Sequence, residues 1–115
     1  ALKNSNQIIT PILSNGCTEI CGSCDCHVFH QYTIRILSKK RDELADYLLT
    51  QKIPFGIYYP IPLHKQKAYK SESFIDEDFI NTNTLSDQVI SLPMHSELSD
   101  DQIDFITSEI IKFLA

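Results

Sequence analysis

The C-terminal segment constrains the fold most. Ser99 and Gln102 stand at capping-box spacing, and Leu98 and Ile103 fit the hydrophobic staple that often accompanies it. Ile103, Ile106, Ile110 and Phe113 then recur on one face at helical spacing. A helix with one apolar stripe must bury that stripe against another layer. The segment from Val28 to Leu37 alternates in the strand period: His30, Tyr32, Ile34 and Ile36 share one face, and Gln31, Thr33 and Arg35 the other. After it, Ser38 offers an N-cap for a helix over Lys39 to Lys52 with a core stripe of Leu44, Tyr47 and Leu48. Phe55 to Tyr59 reads as a second strand, ended by Pro60 and Pro62, and Gln88 to Leu92 as a third, stopped by Pro93. Residues 63–78 are polar and irregular, and 79–87 form a weak helix, because Asn and Thr are poor helix formers. The expected fold is α/β (α+β): a small two-layer sandwich in which helices cover a three-stranded, mainly antiparallel sheet.

The 115 residues suffice for one domain. The formal charge of −5 argues against a nucleic-acid or anionic-membrane footprint, which needs clustered Lys and Arg. No apolar run reaches the ~20 residues of a membrane span, and the first residues lack the pattern of a secretory signal. The expected location is therefore cytoplasmic. The chain starts Ala1-Leu2-Lys3, with its single methionine at Met94, so a processed product, a trimmed chain or a piece of something longer is expected.

Residues 1–26 read as an extended arm, with Ile8-Ile9-Thr10-Pro11-Ile12-Leu13 as its apolar run, and a Cys-rich loop. Cys17, Cys21, Cys24 and Cys26, followed by His27 and His30, carry soft-ligand chemistry. Two readings stand. A single loop could converge three or four ligands on a metal, or the cysteines could be incidental to a surface loop. No metal ligand is assigned.

Tyr58-Tyr59-Pro60-Ile61-Pro62-Leu63-His64-Lys65-Gln66 places hydroxyl, imidazole and amide groups on a proline-stiffened loop after a strand. Such loops commonly carry sites, and these groups suit sugar hydroxyls. Pro93-Met94-His95 is a weaker candidate, and Arg35 either pairs locally or projects from an interface. No Gly-rich phosphate loop, paired-carboxylate motif or nucleophile motif is present.

Five blocks taken in order resemble a known family. They are His27-Val28-Phe29-His30-Gln31-Tyr32-Thr33-Ile34-Arg35, Arg41-Asp42-Glu43-Leu44, Tyr58 through Tyr69, Leu92-Pro93-Met94-His95, and Leu98 through Asp104. Over residues 27–114 they resemble the C-terminal domain of a sugar-nucleotide aminotransferase of the DegT/DnrJ/StrS type. The resemblance implies the small domain of a fold type I enzyme over residues 27–115, with the N-terminal domain that binds pyridoxal phosphate absent. It implies a parent that moves an amino group from glutamate to a nucleotide-linked keto sugar for surface polysaccharide, and a fragment inactive alone. None of Lys3, Lys39, Lys40, Lys52, Lys65, Lys67, Lys70 and Lys112 has the family's Ser-x-x-Lys context. The resemblance assigns Tyr58, Tyr59 and His64 to the substrate wall, and no catalytic or cofactor-binding residue. It implies the missing large domain as a partner, and a homodimer or self-association of the isolated chain.

The sequence departs from the family at Lys52, where Gly is usual, at Phe79-Ile80-Asn81-Thr82-Asn83, and in the cysteine loop. Two other classes compete: a stand-alone sugar-nucleotide-binding or interaction module, and a small metalloprotein built on the cysteines.

Overall fold

The structure is a computed structural model that describes residues 2–12, 30–38 and 40–115. The four cysteines and His27, and with them the candidate metal loop, lie outside the described residues.

A single-turn 3-10 helix (Leu2–Asn4) leads into β1 (Ile8–Ile9), followed by β2 (Tyr32–Ile36) and α1 (Arg41–Thr50). Single 3-10 turns at Leu63–Lys65 and Asp76–Phe79 precede α2 (Ile80–Gln88), which runs directly into β3 (Val89–Leu92); α3 (Asp100–Leu114) closes the chain. The three strands form one antiparallel sheet in the order β1-β2-β3, with Ile8 opposite Ile36 and Ile34 opposite Ile90. The expected class is therefore observed: a three-stranded antiparallel sheet with helices.

Its strands are drawn differently from the expectation. The third strand is β1, not Phe55 to Tyr59. That segment touches the sheet at one residue, Gly56, which exchanges backbone bonds of 2.9 and 2.8 Å with Ser91. Pro54 and Pro60 flank it and cannot donate to a ladder, and Tyr59 turns the chain away at φ 60°. β2 is also shorter than the alternating run: His30 and Gln31 lie outside it.

The core follows the strand and α1 periodicities, but the expected α3 stripe is buried only toward its C-terminal end: Ile110 is fully buried, Ile106 and Phe113 are half-buried, and Ile103 is exposed. Ile34, Ile36 and Ile90 from the sheet and Leu44, Leu48 and Ile110 from the helices are completely buried. Each contributes about 1.5–3 kcal/mol relative to exposure. On the other side, Thr33 and Ser91 share a 2.7 Å hydroxyl bond, and Arg35 donates from Nε and Nη2 to the Gln88 side chain at 3.2 and 2.8 Å. Arg35 thus pairs locally, with an amide.

Helix α1 starts later than expected, and Ser38 is not its cap. Leu44 N–H donates to Lys40 C=O at 2.8 Å, so Lys40 is the N-cap, without a side-chain bond. Ser38 stands too far upstream to reach the free N–H groups, and its buried hydroxyl has no partner among the described residues. Asp42 and Glu43 in the first turn favour the helix dipole instead. Arg41 is buried and donates from Nη1 to the carbonyls of Ser86 and Val89, both at 2.9 Å. One cation thereby takes up carbonyls at the C-terminal end of α2 and joins it to α1.

The end of α1 is a Schellman motif. Ile53 N–H donates to Leu48 C=O at 2.9 Å and Lys52 N–H to Leu49 C=O at 3.0 Å. Lys52 occupies the left-handed position at φ 58°, where the family's glycine would sit without a Cβ penalty. The buried pair Leu48 and Ile53 holds the motif in spite of that cost. In α3 the capping box is formed as read: Gln102 N–H donates to Ser99 Oγ and Ser99 N–H to Gln102 Oε1. Tyr47 donates to Glu109 and its ring lies 5.2 Å from that of Phe113, linking α1 to α3. Gln7 Nε2 donates to Leu114 C=O at 2.6 Å and ties the N-terminal strand to the end of α3.

Replacing Lys52 by glycine should stabilise the chain by about 0.5–1 kcal/mol, since the backbone conformation is kept and the left-handed penalty removed. Urea denaturation of the two proteins checks this; an unchanged or lower midpoint refutes the strain at Lys52.

Candidate functional site

The loop after Gly56 owes its shape to three local constraints. Gly56 has no side chain, and the Tyr58 ring folds back over it; a Cβ there would lie 2.5 Å from Tyr58 Cε2. Tyr59 then adopts a positive φ that a bulky residue rarely takes, which turns the chain before Pro60. Beyond Pro62, Lys65 N–H donates to Pro62 C=O and Gln66 N–H to Leu63 C=O, forming the 3-10 turn that carries His64. The Gln66 amide donates to Ile61 C=O at 3.1 Å, so this glutamine closes the loop instead of presenting itself to a ligand.

Tyr58, Tyr59 and His64 all line one groove of about 550 Å³, with Ile61, Pro62 and Leu63 beside them. The opposite wall is α2 and its approach, through Phe79, Thr82, Leu85, Ser86 and Val89. Tyr59 is 83% exposed and Tyr58 half exposed, whereas the His64 side chain is only 7% exposed. Sequence reading missed the α2 wall. Its signal is the recurrence of Phe79, Thr82, Ser86 and Val89 every three or four residues, diluted by Asn, Thr and Ser.

His64 is fixed by a ring stack and a hydrogen bond. Its ring stacks on Phe79 at 4.2 Å and 13°, and Phe74 meets Phe79 edge-on at 5.8 Å. Its Nε2 lies 3.0 Å from Asp76 Oδ1. The same oxygen receives Lys65 Nζ at 3.2 Å and Asn83 Nδ2 at 3.1 Å, and Asn83 Nδ2 also reaches the Asp76 carbonyl at 3.1 Å. The His64 hydrogen bond, then those from Lys65 and Asn83, hold the Asp76 carboxyl below the usual aspartate range.

The groove presents apolar walls, two phenols, an imidazole and the Thr82 hydroxyl, a set suited to binding a partly polar ring. Its lining contains no lysine. Lys65 and Lys112 point their amines at Asp76 and Glu109. These residues do not by themselves fit an aldehyde cofactor held as a Schiff base.

His95 and Met94 lie elsewhere, on a second groove of about 440 Å³ between β3 and α3. His30 lines a smaller one of about 240 Å³ with Gly56, Ser91, Tyr58 and Met94. Among the described residues no three His, Cys, Asp or Glu side chains converge as metal ligands. Among the described residues no helix is long and apolar enough to cross a membrane.

A folded-state carboxyl below its unfolded value adds stability above the unfolded value and loses it as pH falls through the folded one. Asp76 meets this condition, as does Glu109, lowered chiefly by the Tyr47 hydroxyl. Acidification below about pH 4 should therefore loosen both contacts. In a pH titration followed by NMR, the Phe79 and Tyr47 ring resonances should move together with Asp76 and Glu109; rings that stay fixed while the carboxyls titrate refute the coupling.

Comparison with known proteins gives this groove a context. The sequence model of the DegT/DnrJ/EryC1/StrS aminotransferase family matches residues 7–111. The chain is 39% identical over 87 residues to a pleiotropic regulatory protein of Geobacillus stearothermophilus. It is 32% identical, again over 87 residues, to dTDP-3-amino-3,6-dideoxy-alpha-D-galactopyranose transaminase of Aneurinibacillus thermoaerophilus. Each match covers 76% of this chain and 23% of the relative, so the chain spans about a quarter of the length of these proteins. The fold superposes on DesV of S. venezuelae with a TM-score of 0.80 and 24% identity, covering 97% of this chain and 28% of that one. It also resembles the PMP form of a sugar aminotransferase, Spr1654 of Streptococcus pneumoniae, with a TM-score of 0.61 and 26% identity over 70% of this chain and 21% of that one. Five sequence blocks in order, the fold they build and the family match across residues 7–111 lead to one conclusion: the chain belongs to the DegT/DnrJ/EryC1/StrS aminotransferase family.

Proposed function

We propose that residues 27–115 are the C-terminal small domain of an aminotransferase that uses pyridoxal phosphate, preceded by an arm and loop over residues 1–26. The parent would pass an amino group from glutamate to the ketone of a nucleotide-linked sugar, in the cytoplasm, for surface polysaccharide. Tyr58, Tyr59 and His64 would line the sugar end of its cleft. The observation that carries this reading is their meeting on the wall of one groove, in a chain of this family. The relatives' names support a nucleotide sugar: one is a transaminase of a dTDP-linked amino sugar, another a 3-aminotransferase of a UDP-linked one. The PMP form of Spr1654 supports the cofactor. That cofactor supplies the carrier for the amino group; this chain would contribute the binding wall, and the Schiff-base lysine would stand in the large domain. The two phenols would hydrogen-bond sugar hydroxyls, and the apolar wall would exclude water from one side.

The coding sequence upstream of Ala1 tests the division directly. An in-frame large domain carrying the lysine motif is expected; a start codon immediately before Ala1 overturns it in favour of a stand-alone binding module. The site is tested by titrating the polypeptide that carries this chain with dTDP-glucose and UDP-N-acetylglucosamine. Gly56→Ala displaces the Tyr58 ring without altering the tyrosine, and should weaken binding about tenfold, the worth of one good hydrogen bond. Unchanged affinity removes Tyr58 from the site.

The isolated chain exposes Tyr59, Ile61, Leu63, Tyr69 and Ile80, a surface that the large domain or a second subunit would cover. Light scattering of residues 1–115 should show self-association rising with concentration; a monomer throughout the range counts against a covered face.

A further inference from the structure

We propose that Asp76 is a positioning residue that makes His64 a hydrogen-bond acceptor, through Nδ1, for a sugar hydroxyl or acetamido N–H in the groove. The inference rests on the reading of that groove as the sugar site.

The argument begins with the carboxylate. An ionised carboxyl accepts hydrogen bonds and donates none. His64 Nε2, 3.0 Å from Asp76 Oδ1, therefore carries the proton. Whenever the ring is neutral, its single N–H is the one on Nε2, and Nδ1 keeps its lone pair. Asp76 is itself anchored: Lys65 Nζ and Asn83 Nδ2 share Oδ1 at 3.2 and 3.1 Å, and Asn83 holds the backbone carbonyl as well. These partners come from the loop turn and from α2, the two walls of the groove, so the carboxylate is placed by both. They also hold its carboxyl in the ionised form.

Packing removes the other freedoms of the ring. Phe79 covers one face at 4.2 Å, and the side chain is 93% buried, from its 7% exposure. Rotation that would bring Nε2 toward the groove would break the Asp76 bond and the stack together. With Nε2 engaged and a face covered, Nδ1 is the atom left to a ligand. It selects for a donor. A sugar hydroxyl or an amide N–H satisfies it, whereas a fully ionised phosphate offers only acceptors to a neutral ring. The device therefore recognises the sugar part of a nucleotide sugar and not its diphosphate.

The test uses the full polypeptide that carries this chain. Nitrogen-15 NMR of the imidazole at about pH 8, where a free ring is neutral, should show His64 protonated at Nε2 with its N–H proton slowed in exchange. Protonation at Nδ1 overturns the proposal without any variant being made. Calorimetric titration with dTDP-glucose and UDP-N-acetylglucosamine follows for His64→Ala, Asp76→Ala and the double variant. Each single change should weaken sugar binding about tenfold, and the double no further, since the two act as one unit. Additive losses overturn the proposal. Glu77→Gln is the control: it removes an exposed carboxylate beside Asp76 that bonds neither to the imidazole nor to any other described residue, so affinity should stay within about twofold. A loss equal to that of Asp76→Ala would show that charge, not ring orientation, is what matters, and overturns the proposal. Wild-type protein that binds neither sugar refutes the sugar site and this inference with it, whereas binding with an additive cycle refutes this inference alone.

Discussion

Everything in the structure depends on burying one face of a very small sheet. Ile34, Ile36 and Ile90 point toward Leu44, Leu48 and Ile110, and none of the six retains contact with water. Because side chains alternate along a strand, a slip of one residue would bring Thr33, Arg35 and Ser91 into that layer. The register is thereby locked, and with it the outward position of the Thr33–Ser91 hydroxyl pair. Ser91 also offers its backbone to Gly56. That bridge, with Phe55 and Ile57 packed against the core beside it, joins the segment of the candidate site to the sheet.

The second support is a buried cation. Helix α2 is built from Asn, Thr and Ser, residues with little helical preference. Arg41 compensates by donating to carbonyls at its C-terminal end, while Asn83 grips Asp76 near its start. A weak helix held at both ends can serve as a wall that presents Phe79, Thr82 and Ser86 to the groove. Membership of an aminotransferase family then gives the wall a meaning that its side chains alone do not supply. Tyrosines, an imidazole and an apolar lining could bind many partly polar rings.

Legibility followed the strength of local signals. The capping box of α3 and the stripes of α1 and β2 were read from spacing alone, because capping and burial act over three or four neighbouring residues. Ser38 misled, since a good capping residue is useful only if the chain arrives at the right angle. Phe55 to Tyr59 misled for a related reason: its composition suits a strand, but prolines at both sides and a glycine beneath a tyrosine ring leave room for one bridge. At the site, the loop of Tyr58, Tyr59 and His64 stood out in the sequence, whereas Asp76 lay unremarked in a polar stretch and Asn83 stood out only as part of a departure from the family.

The sequence by itself determined the layers, the helix that closes the chain and the family, since each is written in short-range spacing or in the order of motifs; the left-handed turn at Lys52 is visible only in the fold. Tertiary structure decided which segments complete the sheet and what His64 can do. A two-residue strand such as Ile8–Ile9 has no local signature and exists only because β2 offers it a partner. Likewise, the imidazole acquires a fixed orientation only because a carboxylate twelve residues away, itself held by an asparagine beyond it, reaches Nε2 while Phe79 stacks on the ring.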